Sequence, residues 1–171
     1  SLEGHDYEIV DLPGTYSLSV IGDNCAIDEC IACNYLITNP PDLVINVVDA
    51  SNLERQLYLT AQLLEMQIPV VVALNMMDMA KRRGIHIDIA QLSRSLHCPI
   101  ISLTAIHGFG IAELRRALLV IPQTNSTLPY SFAPLLQGAL QTLTEKLAPK
   151  NLPRPWLALR LLEEDRLARH Y

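Results

Sequence analysis

PVVVALNMMD, residues Pro69–Asp78, is an apolar run of β-branched and small side chains that ends at two polar residues, Asn75 and Asp78. A run this short and this apolar predicts a strand that is buried on both faces, as in a parallel sheet. Ligands of open parallel sheets bind at the carboxyl ends of the strands. Asn75 and Asp78 are therefore candidate ligand-binding residues.

Three similar segments occur elsewhere in the chain, at Tyr7–Leu12, Asp42–Val48 and Pro99–Leu103. A helical pattern of apolar residues follows each strand, and Asn52 and Asp88 are the expected N-caps of two of these helices. The four helices are expected at Ala26–Ile37, Leu53–Met66, Asp88–Leu96 and Ile111–Val120. Four strand–helix units in succession predict a three-layered α/β fold with a parallel sheet and right-handed crossovers.

The chain changes character at Pro122–Pro129, PQTNSTLP, which is polar and bounded by prolines. Beyond it only helical patterns occur, at Phe132–Leu147 and Trp156–Tyr171. The sequence therefore predicts an α/β domain over residues 1–122 and a small all-helical domain over residues 123–171.

The composition limits the classes of function that are open to the chain. It has 171 residues, 50% of them hydrophobic, and a formal net charge of −5. An acidic chain without a basic patch argues against nucleic acid as a partner. No apolar run approaches the roughly 20 residues that span a bilayer, so the chain is expected to be soluble. It begins with serine rather than methionine, and we therefore expect a fragment of a longer protein.

Cys25, Cys30 and Cys33 have the spacing C-x4-C-x2-C, which also occurs in plant-type iron–sulfur ferredoxins. Because Cys30 and Cys33 lie three residues apart in a predicted helix, we favour core thiols over cluster ligands. A disulfide framework is not expected beside so large an apolar core. The five histidines show no metal-ligand spacing.

Asp11-Leu12-Pro13-Gly14 ends the first predicted strand. A carboxylate at this point can hold Mg²⁺ through a water molecule, because magnesium keeps several waters and needs only one or two carboxylates. The backbone N–H of Gly14 can approach a terminal phosphate, and loss of that phosphate would release the loop that follows. The pattern D-x-x-G thus predicts a magnesium–phosphate site, although taken alone it is equally typical of a turn.

Asn75-x-x-Asp78 has a pattern suited to reading a purine base. A carboxylate accepts two parallel hydrogen bonds, and guanine offers a matching pair of donors, its ring N1–H and its exocyclic amine. Adenine presents a lone pair at N1 instead, so Asp78 selects guanine and Asn75 braces the loop. Taken alone, these two residues are also compatible with an Asx turn.

Thr104-Ala105-Ile106 follows the fourth predicted strand, where the small Ala105 would let a backbone N–H reach the guanine carbonyl oxygen. Each of the three motifs has a purely structural interpretation. Because all three follow strands of one predicted sheet, in this order, we interpret them together as a guanine-nucleotide site.

These motifs resemble the third, fourth and fifth signature motifs of the P-loop GTPases. More narrowly, the chain resembles the N-terminal cytoplasmic domain of the bacterial ferrous iron transport B family over nearly its whole length. The residues that carry this resemblance are DLPGTYSL (Asp11–Leu18), Asp28–Ala32, INVVDASNLER (Ile45–Arg55), LYLTAQLLE (Leu57–Glu65), VVALNMMD (Val71–Asp78) and WLALRLLEED (Trp156–Asp165).

The resemblance implies a GTPase that binds GTP, GDP and magnesium, followed by a helical domain that affects GDP release. It implies a membrane-embedded iron permease in the same polypeptide, at the inner membrane of a bacterium, with this chain on the cytoplasmic face. Potassium as an activating ion, small cytosolic accessory proteins and self-association are also properties that the resemblance implies.

The chain departs from that family in several places. The P-loop, G-x-x-x-x-G-K-[ST], and the first switch are absent from these residues, so we expect the chain alone to be inactive. Met76 stands where many GTPases have lysine, and Thr15 stands where Ras-like enzymes have the glutamine that orients water. Thr15 is therefore only a weak catalytic candidate. Ile106 departs from the usual polar residue of the fifth motif.

Two other functions remain open at this point. A soluble GTPase of ribosome or tRNA maturation would share the nucleotide motifs, although the acidic charge and the missing basic domain argue against it. A nucleotide-dead interaction module is the interpretation that follows if the P-loop is truly absent.

Overall fold

The computed structural model describes residues 6–19, 26–120, 131–147, 154–165 and 168–169. Its centre is a parallel sheet in the order β1-β2-β3, formed by β1 (Val44–Asp49), β2 (Val70–Asn75) and β3 (Ile100–Ser102). Parallel neighbours require crossover connections, and a helix lies between each strand and the next. The parallel α/β architecture is therefore confirmed.

Seven α-helices surround or follow this sheet in the described part of the chain. They are α1 (Ile27–Thr38), α2 (Leu53–Glu65), α3 (Met77–Arg82), α4 (Ile89–Leu96), α5 (Ile111–Leu118), α6 (Pro134–Lys146) and α7 (Arg154–Leu162). Short 3₁₀ turns lie at Ala50–Asn52 and Ala105–His107. The expected helices agree with α1, α2, α4 and α5 to within two residues at each end.

The predicted strand at Tyr7–Leu12 is wrong, and the sheet of the described residues has three strands instead of four. Residues 6–12 have no strand assignment, and Ile9 is 82% exposed. A strand needs hydrogen bonds from a neighbouring strand. No such ladder joins residues 6–12 to any of the three described strands, whose order begins at β1.

Burial differs between the first two strands. Val70–Leu74 of β2 are all buried, as the apolar run predicts. In β1 the expected burial on both faces is wrong, because Ile45 and Val47 remain exposed while Asn46 and Val48 are buried. α2 packs against β1, and the Asn46 amide donates to the hydroxyl of Thr60 at 2.8 Å. One covered face gives β1 the alternation of a half-buried strand.

Among the helices after residue 131, α7 contributes buried residues to the core of the sheet. α6 packs against α7, and Trp156 and Leu157 of α7 are buried in one cluster with Leu36 of α1 and Leu74 of β2. The apolar pattern WLALRLL therefore covers the α/β core. The expected domain boundary near residue 123 lies outside the described residues and remains a prediction.

The two expected N-caps give a test of helix capping. The Asp88 carboxylate accepts from the N–H of Gln91 at 2.8 Å, whereas Asn52 stands at the N-cap of α2 without a side-chain capping bond. The predicted N-cap position of Asn52 is thus confirmed, but its side chain does not form the expected capping hydrogen bond. The 3₁₀ turn Ala50–Asn52 leads directly into α2, and the Asp49 carboxylate caps that turn at the N–H of Ser51, 2.7 Å away.

Asp88→Ala is expected to lower the free energy of unfolding by about 1 kcal/mol, the usual value of an N-cap. Asn52→Ala is the matched control and is expected to change it by less than about 0.5 kcal/mol. Urea unfolding followed by circular dichroism measures both values. If both substitutions lowered the free energy of unfolding equally, the assignment of Asp88, and not Asn52, as the residue whose side chain caps its helix would be contradicted.

Candidate functional site

The carboxyl ends of the three strands meet at one edge of the sheet. The register pairs Asp49 at the end of β1 with Asn75 at the end of β2, and pairs Leu74 with Ser102 at the end of β3. The polar residues that follow each strand are therefore brought together by the sheet itself. In open α/β sheets this edge is where ligands bind.

A side-chain hydrogen bond joins two of the predicted motifs. The Asn75 Oδ1 accepts from the backbone N–H of Ala105 at 3.1 Å, and the N–H of Met77 donates to the carbonyl of Leu103 at 3.2 Å. The segment after β2 and the segment after β3 are thus tied to each other. The predicted role of Asn75 in bracing the loop agrees with this contact.

This bond changes which backbone group is free to meet a ligand. The Ala105 N–H is already engaged by Asn75. The next N–H, that of Ile106, donates to no acceptor among the described residues. The side chain of Ile106 is 85% exposed, so its backbone lies at the surface of this edge.

Met76 and Asp78 lie where β2 turns into α3. Met76 adopts the left-handed conformation with φ +60° and is exposed, a conformation that costs a residue with a Cβ about 1–2 kcal/mol. Asp78 lies in the first turn of α3, and its Oδ2 is 3.3 Å from a guanidinium nitrogen of Arg82. The sharp turn at Met76 directs the chain so that Asp78 follows the strand end closely.

Thr104 is buried and its backbone closes the loop after β3. Its N–H donates to the carbonyl of Phe109 at 3.1 Å. Gly110, with φ +81°, then begins α5. The loop from Thr104 to Phe109 is therefore closed at both ends, which holds Ala105 and Ile106 at the strand edge.

Asp11 and Gly14 stand apart from the other two motifs. Both are exposed, and no hydrogen bond between described residues joins 11–14 to Asn75, Asp78 or residues 104–106. The hydroxyl of Thr15 donates to the carbonyl of Ser17 at 2.7 Å and accepts from its N–H at 3.2 Å. Thr15 is thus engaged in a local turn.

Sequence reasoning missed several residues around this edge. The guanidinium of Arg83 donates to the hydroxyl of Ser51 at 3.2 Å, which links the end of α3 to the turn after β1. Arg82 is the ion-pair partner of Asp78. The signal for Arg82 is its spacing of four residues from Asp78, which brings the two side chains together on a helix such as α3.

The cysteines do not form a metal centre in the described part of the chain. Cys33 and Cys98 are buried free thiols, and burial raises the pKa of Cys33 to about 12 and that of Cys98 to about 11. Asp165 also raises the pKa of Cys33. Thiols with such pKa values stay protonated at neutral pH, as expected for cysteines that pack in an apolar core.

Cys30 is disulfide-bonded, contrary to the expectation of no disulfide. That expectation rested on the size of the apolar core, but Cys30 is only half-buried on α1 and lies outside that core. No group of three or more potential metal ligands occurs within the described residues.

Comparison with known proteins identifies the family. Residues 1–118 match the family described as Ferrous iron transport protein B. This chain belongs to that family. The Fe(2+) transporter FeoB of Escherichia coli K12 is 46% identical over 175 residues, which cover 100% of this chain and 22% of the relative. The FeoB of Salmonella typhimurium LT2 is 46% identical over 171 residues, with 98% and 22% covered.

Solved FeoB domains share the fold. The cytosolic domain of L. pneumophila FeoB has a TM-score of 0.86 at 42% identity and covers 94% of this chain and 70% of its own. An S. thermophilus NFeoB variant bound to GDP has a TM-score of 0.82 at 33% identity, with 94% and 62% covered. The chain therefore shares its family and fold with a protein that was solved with GDP.

The chain spans about a fifth of the length of these curated FeoB relatives. In the ranges that the structure describes, no helix has the length and apolar character needed to cross a bilayer.

Proposed function

We propose that this chain is the guanine-nucleotide-binding and GTP-hydrolysing part of a bacterial ferrous iron transporter, lying on the cytoplasmic face of the inner membrane. The observation that carries the proposal is the bond from the Ala105 N–H to Asn75 Oδ1. It unites the ends of β2 and β3 in a preformed edge, with Asp78 one helical turn away.

In this proposal two groups read the base and a third residue holds them in place. The two carboxylate oxygens of Asp78 accept from the N1–H and the amine of guanine. The free N–H of Ile106 donates to the carbonyl oxygen of the base. Asn75 holds the end of β2 and the segment after β3 together through its bond to the Ala105 N–H. Since Met76 is exposed beside them, its side chain can cover the face of the base.

The phosphate side of the proposal rests on Asp11 and Gly14. The exposed carboxylate of Asp11 is the kind of hard oxygen ligand that Mg²⁺ prefers, and it would hold the ion through a water molecule. No atom of the described residues lies within 4 Å of the position that a Cβ would take at Gly14, so this side of the glycine is open to a phosphate oxygen. When bound, magnesium would neutralise phosphate charge during hydrolysis. Leu12 and Pro13 place these two groups three residues apart.

Membership of the FeoB family favours the transporter over a soluble GTPase of RNA maturation, although both would share the nucleotide motifs. We propose the membrane-embedded permease of the same polypeptide as the partner, since the curated relatives are Fe(2+) transporters several times longer than this chain. Potassium activation, accessory proteins and self-association belong to the same proposal and rest on the resemblance alone.

A competition experiment tests the proposal directly. The complete product of the gene, with Mg²⁺, is loaded with a fluorescent GDP analogue and titrated with unlabelled GDP, and in parallel with ADP. GDP is expected to displace the probe at a concentration at least about 100-fold lower than ADP, because adenine leaves the Asp78 carboxylate facing a lone pair. Release of phosphate from GTP is then measured. Equal competition by ADP would overturn the guanine assignment.

A further inference from the structure

The segment that follows Gly14 is held in place without being part of any helix or strand. Residues 15–19 have no regular structure, yet Leu18 is only 2% exposed and belongs to the main core cluster. The hydroxyl of Ser17 accepts from the N–H of Ser19 at 3.0 Å, which continues the turn begun at Thr15. We call residues Thr15–Ser19 the post-glycine loop.

α2 provides one set of anchors for this loop. Arg55 and Gln62 are seven residues apart and therefore lie on one face of the helix. The Arg55 guanidinium lies 3.8 Å from the centre of the Tyr16 ring. The buried Gln62 amide uses both of its ends, since its oxygen accepts from the N–H of Leu18 at 2.7 Å and its nitrogen donates to the hydroxyl of Ser19 at 2.6 Å.

α7 provides a second anchor, which comes from the C-terminal helices. Arg160 is 2% exposed and donates to the Ser19 hydroxyl at 2.7 Å. Its guanidinium also pairs with Glu65 of α2 at 2.8 Å and lies 2.8 Å from Glu163. A buried guanidinium is costly unless carboxylates and hydrogen bonds compensate it, and here those compensating groups fix its position.

The Ser19 hydroxyl is therefore the point where the loop, α2 and α7 meet. A hydroxyl oxygen has two acceptor lone pairs, and Gln62 and Arg160 donate to it from two different helices. Ser19 lies five residues after Gly14, a span of at most about 18 Å. Fixing Leu18 and Ser19 thus limits where the Gly14 N–H and Thr15 can lie.

We propose that Gln62 and Arg160 are positioning residues for GTP hydrolysis, which act on the post-glycine loop through Ser19. This inference rests on the proposed function of Asp11 and Gly14. It makes α7 part of the hydrolytic arrangement, although α7 follows the nucleotide motifs by more than forty residues. Guanine recognition at Asn75 and Asp78 does not depend on the loop, because the base is held at the other strand ends.

Ser19→Ala is the primary test, since it deletes only the shared acceptor. Ser93→Ala is its matched control, because the Ser93 hydroxyl also makes one tertiary bond, to the carbonyl of Cys98 at 2.7 Å, far along the chain from the loop. Both variants are made in the complete gene product. The kcat and KM of GTP hydrolysis and the Kd of fluorescent GDP are then measured.

Ser19→Ala is expected to lower kcat by about 10-fold, because small misplacements of reacting groups reduce rates strongly. Its KM and GDP Kd are expected to stay within about twofold of wild type, and Ser93→Ala is expected to match wild type throughout. Arg160→Gln should lower kcat as much as Ser19→Ala, and adding it to Ser19→Ala should cause little further loss.

Trp156 is the only tryptophan of these 171 residues, and its emission, taken as the difference between the complete gene product and its Trp156→Phe variant, gives a second readout that does not depend on turnover. Trp156 is buried on α7, one turn before Arg160. Its emission is expected to differ between the GDP form and the form with a non-hydrolysable GTP analogue in wild type and Ser93→Ala. Ser19→Ala should abolish that difference.

Three results separate this inference from the proposed function. If wild type fails to bind GDP, the proposed function itself fails. If wild type hydrolyses GTP and Ser19→Ala retains both its kcat and the nucleotide-dependent emission of Trp156, only the positioning role is overturned. A parallel loss of GDP affinity and kcat would also overturn it, because the hydroxyl would then support binding in general.

Discussion

Asp78→Asn is expected to weaken GDP binding by about 100-fold or more and to make xanthosine diphosphate the better ligand. The carboxylate of Asp78 offers two acceptors to the two donors of guanine. An amide offers one acceptor and one donor, so its nitrogen would face the guanine amine. Xanthine carries a carbonyl at that position and restores the match. Titration of the fluorescent GDP and xanthosine diphosphate analogues into the complete gene product measures the change.

Two control variants isolate the chemical cause of this exchange. Asp78→Asn also removes the ion pair with Arg82, in which the Arg82 side chain is 68% exposed. Arg82→Ala removes the same pair and keeps the carboxylate, and exposed pairs of this kind contribute only about 0.3–0.5 kcal/mol. Arg82→Ala is therefore expected to change the GDP Kd by less than about threefold.

Asp88→Asn makes the same chemical change at the N-cap of α4, where Asn is as good a cap as Asp. It is expected to leave both nucleotide affinities unaltered. An Asp78→Asn protein that still prefers GDP to xanthosine diphosphate would contradict the role of Asp78 as the base reader, whatever the absolute affinities.

The parts of the site that could be predicted from the sequence are those formed by residues that are consecutive in the chain. Val70–Leu74 is apolar at every position, and a run of this kind is buried on both faces wherever it lies in a sheet. Asn75 and Asp78 come within four residues of the end of this run. Their position at the carboxyl end of the strand could therefore be predicted once the strand itself was recognised. The parallel direction of β1, β2 and β3 followed from the intervening helical patterns, whereas their order in the sheet did not.

Contacts between distant segments could not be predicted in the same way. Arg160 stands alone in the apolar run WLALRLL, which signals a partner for a buried charge. Nothing in the local pattern says that the partners are Glu65 and Ser19, which lie 95 and 141 residues away. The same limit explains the error at Tyr7–Leu12, since strand propensity does not supply a neighbouring strand.

The bond between Asn75 and Ala105 shows how the fold refines a motif. From the sequence, the small Ala105 was expected to let a backbone N–H reach the base. Because Asn75 takes the N–H of Ala105 itself, the donor that remains is the N–H of Ile106. In the proposed site this donor is a backbone group, so we expect the identity of the Ile106 side chain to have little effect on base recognition.

Gly110→Ala is expected to lower the free energy of unfolding by about 2–5 kcal/mol, because it combines a steric clash with a strained backbone conformation. A Cβ at this position would lie 2.1 Å from the backbone oxygen of Ser102 and 2.7 Å from Leu103 Cδ2. The φ of +81° adds the cost of a left-handed conformation, about 1–2 kcal/mol. The clash is with backbone of β3, so relief requires the start of α5 to move away from the sheet.

Gly108→Ala separates the two causes, because Gly108 has a similar φ of +72° and no atom within 4 Å of an added Cβ. Gly108→Ala is expected to lower the free energy of unfolding only by the cost of the left-handed conformation, about 1–2 kcal/mol. Urea unfolding of both variants gives the difference between them, which measures the close approach of Gly110 to β3. If Gly110→Ala and Gly108→Ala lower the free energy of unfolding by the same amount, the contact with Ser102 does not hold the loop that carries Ala105 and Ile106. In that case the bond from Ala105 to Asn75 would have to hold the loop at the sheet edge, and Asn75→Ala would then destabilise the protein more than Gly110→Ala does.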